Sequence, residues 1–200
     1  MMTLTDAVGI IETHREDMIV IASQSARVPW LNVSRKPSLD ILFAGSMSKE
    51  SSVGLGIALA CPEKKVIVLS GDGELLMNLG TLVTIGNQAP ENFYHFVLYN
   101  GVYAFTGCQP LPGASRIRFE GLAKEAGYPS VHMFEDSTLF ASRVKDILNE
   151  DGPVFVCLKI DPEVNAEVSA KGPYPWKPLR EYLHGLRKVL AEGSKESPPR

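Results

Sequence analysis

Gly71-Asp72-Gly73 and Asn100-Gly101 are the residues of this 200-residue chain whose types and spacing point most directly to chemistry. An aspartate carboxylate, an asparagine amide oxygen and a free backbone carbonyl are hard oxygen donors, the set that Mg²⁺ or Ca²⁺ prefers. Mg²⁺ in particular keeps few protein ligands and completes its octahedron with phosphate oxygens and water. The two glycines let the backbone turn sharply and approach a ligand, and a helix beginning near Glu74 turns unpaired N–H groups and a positive dipole end toward an anion. One cation bridging Asp72 and Asn100, with a phosphorylated ligand beside it, is the chemistry these residues suit.

The elements needed to place them are readable in the surrounding pattern. Apolar runs suited to buried strands cover 18–22, 41–44, 65–70, 93–99, 130–134 and 154–160, and helical periodicity covers 4–12, 48–60, 74–88, 119–126 and 139–149. A loop carrying Pro29, Arg35, Lys36 and Pro37 follows the first strand, and another runs on past Asn100 through Gly113. Strands alternating with helices of this length predict an α/β fold, a doubly wound, mostly parallel sheet with helices on both faces. Asp72 and Asn100 then stand at the C-terminal tips of two strands joined by one crossover, where open α/β sheets bind ligands.

Composition restricts the alternatives. Hydrophobic residues make up 44% and charged residues 22%, the balance of an ordinary globular chain rather than a disordered or coiled-coil one. With 20 Lys and Arg against 23 Asp and Glu, there is no general basic field for nucleic acid, and no apolar run is long enough to span a membrane. The acids and His14 near the N-terminus do not suit a secretory leader, so a cytoplasmic location is expected. Cys61, Cys108 and Cys157 are odd in number and widely spaced, reading as buried small hydrophobes, and His95 reads as a satisfied core histidine. The expected organisation is a ligand-binding domain over 1–162, a C-terminal arm over 163–192 and a disordered tail over 193–200. Residues 171–200 carry seven Lys or Arg against three Glu. That basic surface reads as solvated, with Tyr174, Trp176, Tyr182 and Leu183 as a possible subunit contact.

Gly71-Asp72-Gly73, 26 residues and then Asn100 resembles the fingerprint of thiamin diphosphate-dependent 2-oxo acid decarboxylases. Upstream, Gly45-Ser46-Met47 and Gly54-Leu55-Gly56 resemble the segment of that family that holds the aminopyrimidine. Downstream, Asn100-Gly101-Val102-Tyr103 and Thr106-Gly107-Cys108-Gln109-Pro110 are most similar to the cofactor-binding half of sulfopyruvate and phosphonopyruvate decarboxylases, above all the separate beta subunit of the former. The resemblance implies that Asp72, Asn100 and the Val102 carbonyl hold Mg²⁺, that the Gly73 and Glu74 amides meet the diphosphate, and that Gly71 belongs to the same cofactor-binding turn. It also implies that Gly45, Ser46 and Met47 serve the pyrimidine, with the Met47 side chain wedged between the two rings, and that Tyr103 lines the site.

Three departures from the family pattern stand out. Glu74, Ser48 and Tyr99 occupy positions where relatives commonly have Ser, Gly and Asn. Thr106, Gln109, Arg116 and Arg118 are substrate-side candidates, the arginines for the second anionic head of sulfopyruvate or phosphonopyruvate; Thr106 and Gln109 also suit a role in holding the loop. The family activates its cofactor with a Glu from a second domain of similar size, for which this chain has no room; Glu12 and Glu16 read as solvated helix charges. No firm catalytic residue is therefore expected here. The resemblance implies a hetero-oligomer in which a pyrimidine-binding subunit supplies that Glu. The alternatives are a carboligating relative and a non-catalytic cofactor-binding module.

Overall fold

The computed structural model of the chain describes residues 2–162 and 177–193. Tyr174, Trp176 and the tail from residue 194 lie outside the described residues. In chain order the elements are α1 (Leu4–His14), β1 (Ile19–Ser23), α2 (Arg27–Val33), β2 (Asp40–Phe43), α3 (Glu50–Ala60), β3 (Val66–Gly71), α4 (Asp72–Met77), α5 (Thr81–Gln88) and β4 (Phe93–Tyr99). There follow β5 (Val102–Tyr103), β6 (Gln109–Pro110), α6 (Phe119–Glu125), β7 (Ser130–Phe134), α7 (Ser137–Ile147), β8 (Val154–Lys159) and α8 (Leu179–Gly193).

Six parallel strands form one sheet in the order β2-β1-β3-β4-β8-β7, and β5 and β6 form a small antiparallel hairpin. Apart from the edge strand β7, which is only partly covered, the strands are buried on both faces, as a doubly wound sheet requires. One apolar cluster gathers Ala7, Ile11 and Trp30 from α1 and α2 with Phe140 and Val144 from α7 against Val20, Ile67 and Phe96. The other gathers Leu55, Leu82, Ile85 and Phe119 from α3, α5 and α6 against Ile21, Val68 and Val97. The chain therefore leaves β1 toward one face and β3 toward the other. Because β1 and β3 are neighbours, their tips part around a crevice at the point where the winding reverses.

Three local differences from the expected pattern have physical causes. The stretch after β1 contains α2 rather than loop: Pro29 falls in its first turn, where an N–H has no helical acceptor, and the fully buried Trp30 anchors it. The helix expected over 74–88 is two helices, because Asn78 adopts φ −139° and ψ 45° and ends α4. Glu12 is not solvated; it is 4% exposed, takes the Arg35 N–H at 2.8 Å and lies 3.6 Å from the Arg15 guanidinium. Cys157 is buried while Cys61 and Cys108 are only partly so, and all three are free thiols. The α8 helix lies against β2, with Leu186 buried and Tyr182 and Leu183 packed on this chain's own core, while Lys177, Arg180, Arg187 and Lys188 remain exposed.

Gly54 lets α3 approach the sheet closely enough to present the loop before it. A Cβ there would stand 2.3 Å from Val68 Cγ2 and 3.2 Å from Phe93 Cε2. Gly54→Ala is expected to destabilise the fold by about 1–3 kcal/mol, the usual range for overpacking, read as a lowered midpoint in urea denaturation.

Candidate cofactor and metal site

A cleft at the C-terminal tips of β1, β3 and β4 opens to solvent. Gly71 to Glu74 line it from the β3 tip, and Asn100, Val102, Tyr103, Ala104 and Thr106 from the segment after β4. Gln24 and Ser25 after β1 and Met47 after β2 complete the lining. Thus Met47, Gly71, Asp72, Gly73, Glu74, Asn100, Val102, Tyr103 and Thr106 come together as expected from their positions in the chain. Gly45 and Ser46 are exposed in the same loop as Met47 but do not line the cleft, and neither do Gln109, Arg116 or Arg118. Arg118 pairs with Glu120 at 3.0 Å in the open. Thr106 Oγ1 donates to Gln109 Oε1 at 2.9 Å and Gln109 Nε2 donates to the Thr106 carbonyl at 2.7 Å, so this pair braces the hairpin turn.

Asp72 opens α4 and is 2% exposed. Its Oδ2 accepts the N–H groups of Gly101 at 2.7 Å and Asn100 at 3.0 Å, and its Oδ1 that of Gly73 at 2.8 Å. Burial pushes the carboxyl up to about 6, against the lowering effect of those N–H groups. A carboxylate offers about four acceptor positions, so three N–H bonds leave room for a cation, whose charge would offset the burial. The Asn100 Oδ1 accepts only the Val102 N–H, at 3.0 Å, and keeps a lone pair. Among the described residues no three His, Cys, Asp or Glu side chains gather as a metal cluster. The donor set here, one carboxylate with neutral oxygens, fits Mg²⁺ sharing its shell with phosphate and water.

Gly73 is required by close approach. A Cβ there would lie 2.7 Å from Tyr103 Cε1 and 3.3 Å from Leu111, because the Tyr103 ring covers this turn of backbone. The Glu74 side chain turns into the protein at 3% exposure. Its Oε2 accepts the Gly71 N–H at 3.0 Å, closing the start of α4 as a capping residue, and its Oε1 accepts from Ser23 Oγ at 2.6 Å. Tyr99, in place of an Asn, donates its hydroxyl to the Ala114 carbonyl and sets its ring edge-on to Phe119 at 5.3 Å. His95 is a core histidine, held between Ser70 Oγ at 3.0 Å and the Tyr128 hydroxyl at 3.4 Å. Burial pushes it down to about 3, so it is neutral.

Glu50, which the sequence did not single out, opens α3 at 1% exposure, with its Oε2 lacking a hydrogen-bond partner. Burial, and next the charge of Glu74, raise its carboxyl from 4.5 to about 7. An acid that holds its proton more tightly when folded contributes stability below its unfolded value, and this is lost as the pH rises through the folded one. Between pH 4.5 and about 7 the wild-type chain is therefore expected to lose about 3 kcal/mol relative to Glu50→Gln, measured by urea denaturation across that range. Gln24 and Ser25 were also missed. The end of β1 was legible, and the rule that ligands bind beyond strand tips was the signal available for them. Gln24 adopts φ +40°, which no residue pattern announces.

Residues 23–158 match the family described as "Thiamine pyrophosphate enzyme, C-terminal TPP binding domain". The sulfopyruvate decarboxylase subunit beta of Methanocaldococcus jannaschii is 34% identical over 76% of this chain and 80% of its own length. The phosphonopyruvate decarboxylase of Streptomyces viridochromogenes is 40% identical over 60% of this chain and 30% of its own. The benzoylformate decarboxylase structure from Polynucleobacter necessarius superposes with a TM-score of 0.67 at 18% identity, covering 80% of this chain and 33% of that one, a likeness of fold alone.

Proposed function

Because this chain belongs to the thiamine pyrophosphate enzymes through their C-terminal cofactor-binding domain, we propose that it is the thiamin diphosphate- and Mg²⁺-binding subunit of a 2-oxo acid decarboxylase. The observation that carries the reading is the meeting of Asp72, Asn100 and Val102 with the start of α4 at neighbouring strand tips. Asp72, Asn100 Oδ1 and the Val102 carbonyl would hold the metal, and the first amides of α4 would take the diphosphate. Met47 and Tyr103 would flank the rings. When bound, thiamin diphosphate supplies an electron sink for the pair released as a 2-oxo acid loses CO₂. This chain's residues bind and orient, and they bury Asp72 so that its charge is spent on the cation rather than on water.

The beta-subunit designation of one relative supports a partner subunit, which in this reading is of similar size and carries the activating Glu, and the names of both relatives support sulfopyruvate or phosphonopyruvate as substrate class. Thr106 is the substrate-side candidate for which cleft geometry speaks. Three free thiols suit a reducing, cytoplasmic setting. Among the described residues no helix is long and apolar enough to cross a membrane. CO₂ release from sulfopyruvate and phosphonopyruvate by the chain co-expressed with its partner tests the reading. Release from neither, with coupling of two carbonyl compounds instead, would replace it with a carboligating one.

A further inference from the structure

Met47 lines the cleft at 43% exposure, on a loop with little packing of its own, so something other than burial must fix its place. The next residue, Ser48, is 4% exposed and adopts φ +69°, the left-handed region that a residue with a Cβ enters only when its surroundings enforce it. The enforcement comes from α4. Asn78, at its end, donates Nδ2–H to the Ser48 carbonyl at 2.9 Å. Asn78 is also where α4 ends, so the side chain that reaches Ser48 stands at the break between α4 and α5.

We propose that Asn78 is a positioning residue that fixes the Ser48 backbone and thereby sets where the Met47 side chain stands in the cleft. The proposal rests on the thiamin diphosphate reading of that cleft. Its consequence is that the helix whose first amides face the diphosphate also places the thioether that flanks the rings, so one rigid piece registers both ends of the cofactor.

The test is calorimetric titration of the full chain with thiamin diphosphate and, separately, with inorganic pyrophosphate, both with Mg²⁺. Wild type is compared with Asn78→Ala, Asn78→Leu, Met47→Ala and the Asn78→Ala/Met47→Ala double variant; Asn78→Leu keeps the branched shape of the side chain should alanine disturb folding. Each Asn78 variant is expected to weaken thiamin diphosphate about fivefold, the equivalent of one net hydrogen bond, and to leave pyrophosphate unchanged. The double variant is expected to bind no more weakly than Met47→Ala, because Asn78 acts through Met47. Parallel losses for both ligands, or effects of the two substitutions that multiply, would overturn the proposal. Wild type binding pyrophosphate but not thiamin diphosphate would also overturn it, since there would be no ring to register. Wild type binding neither would refute the cofactor reading itself, a result distinct from either of those.

Discussion

Asp72→Ala is expected to abolish the stabilisation that Mg²⁺ and thiamin diphosphate give this chain. A ligand at 100 times its Kd adds about 2.7 kcal/mol, which raises Tm by about 5–10 °C in a protein of this size. The carboxylate is the one charged donor offered to the cation, and its partners, the Asn100 amide and a carbonyl, carry no charge to replace it. The same substitution leaves the N–H groups of Gly73, Asn100 and Gly101 without their acceptor, so the unliganded variant melts earlier as well. The informative quantity is therefore the ligand-induced shift within each variant. Asp72→Asn, which keeps the shape and loses the charge, is expected to show the same absence of shift with a smaller change in the unliganded melt. A shift in either variant equal to that of wild type would remove Asp72 from the metal site.

The second large effect concerns the partner. The purified chain, saturated with Mg²⁺ and thiamin diphosphate, is expected to release no CO₂ from sulfopyruvate or phosphonopyruvate above background. Among the described residues, the three buried glutamates have other positions or partners. Glu12 is held by Arg35 and Arg15 on α1, and Glu74 is committed to Gly71 and Ser23. Glu50 is closed off at the start of α3. Positioned acid–base groups contribute about 10²–10⁴-fold, so supplying the partner should raise the rate by at least that factor, and replacing the partner's activating Glu should return it to background. Full turnover by the isolated chain, measured as CO₂ release, would show that the site is complete without a second subunit.

Much of this site could be read from residue type and spacing because it depends on strand ends. Long apolar runs locate strands well, and the tips of β3 and β4 fell where Gly71 and Asn100 predicted, with the two strands paired side by side. What escaped the sequence depends on side chains acting over a distance. Pro29 reads as a breaker until Trp30 is known to be buried beneath it. Asn78 reads as one more helical residue until Ser48 is found opposite. Glu12 and Glu50 read as ordinary charges because nothing local announces that Arg15 and Arg35, or Glu74, will surround them. The unusual residues at 48 and 74 are each explained by a partner: Ser48 takes the left-handed turn a glycine would take freely with its carbonyl held by the Asn78 amide, and Glu74 lies inward on Gly71 and Ser23.

The most direct measurement is a crystal of the chain grown with thiamin diphosphate and Mn²⁺ in place of Mg²⁺, examined for anomalous scattering. One manganese peak bounded by Asp72, the Asn100 amide oxygen and the Val102 carbonyl, with the diphosphate reaching it from the start of α4, is the predicted result. A cofactor bound elsewhere, or manganese absent from that position with the coenzyme in place, would contradict the account.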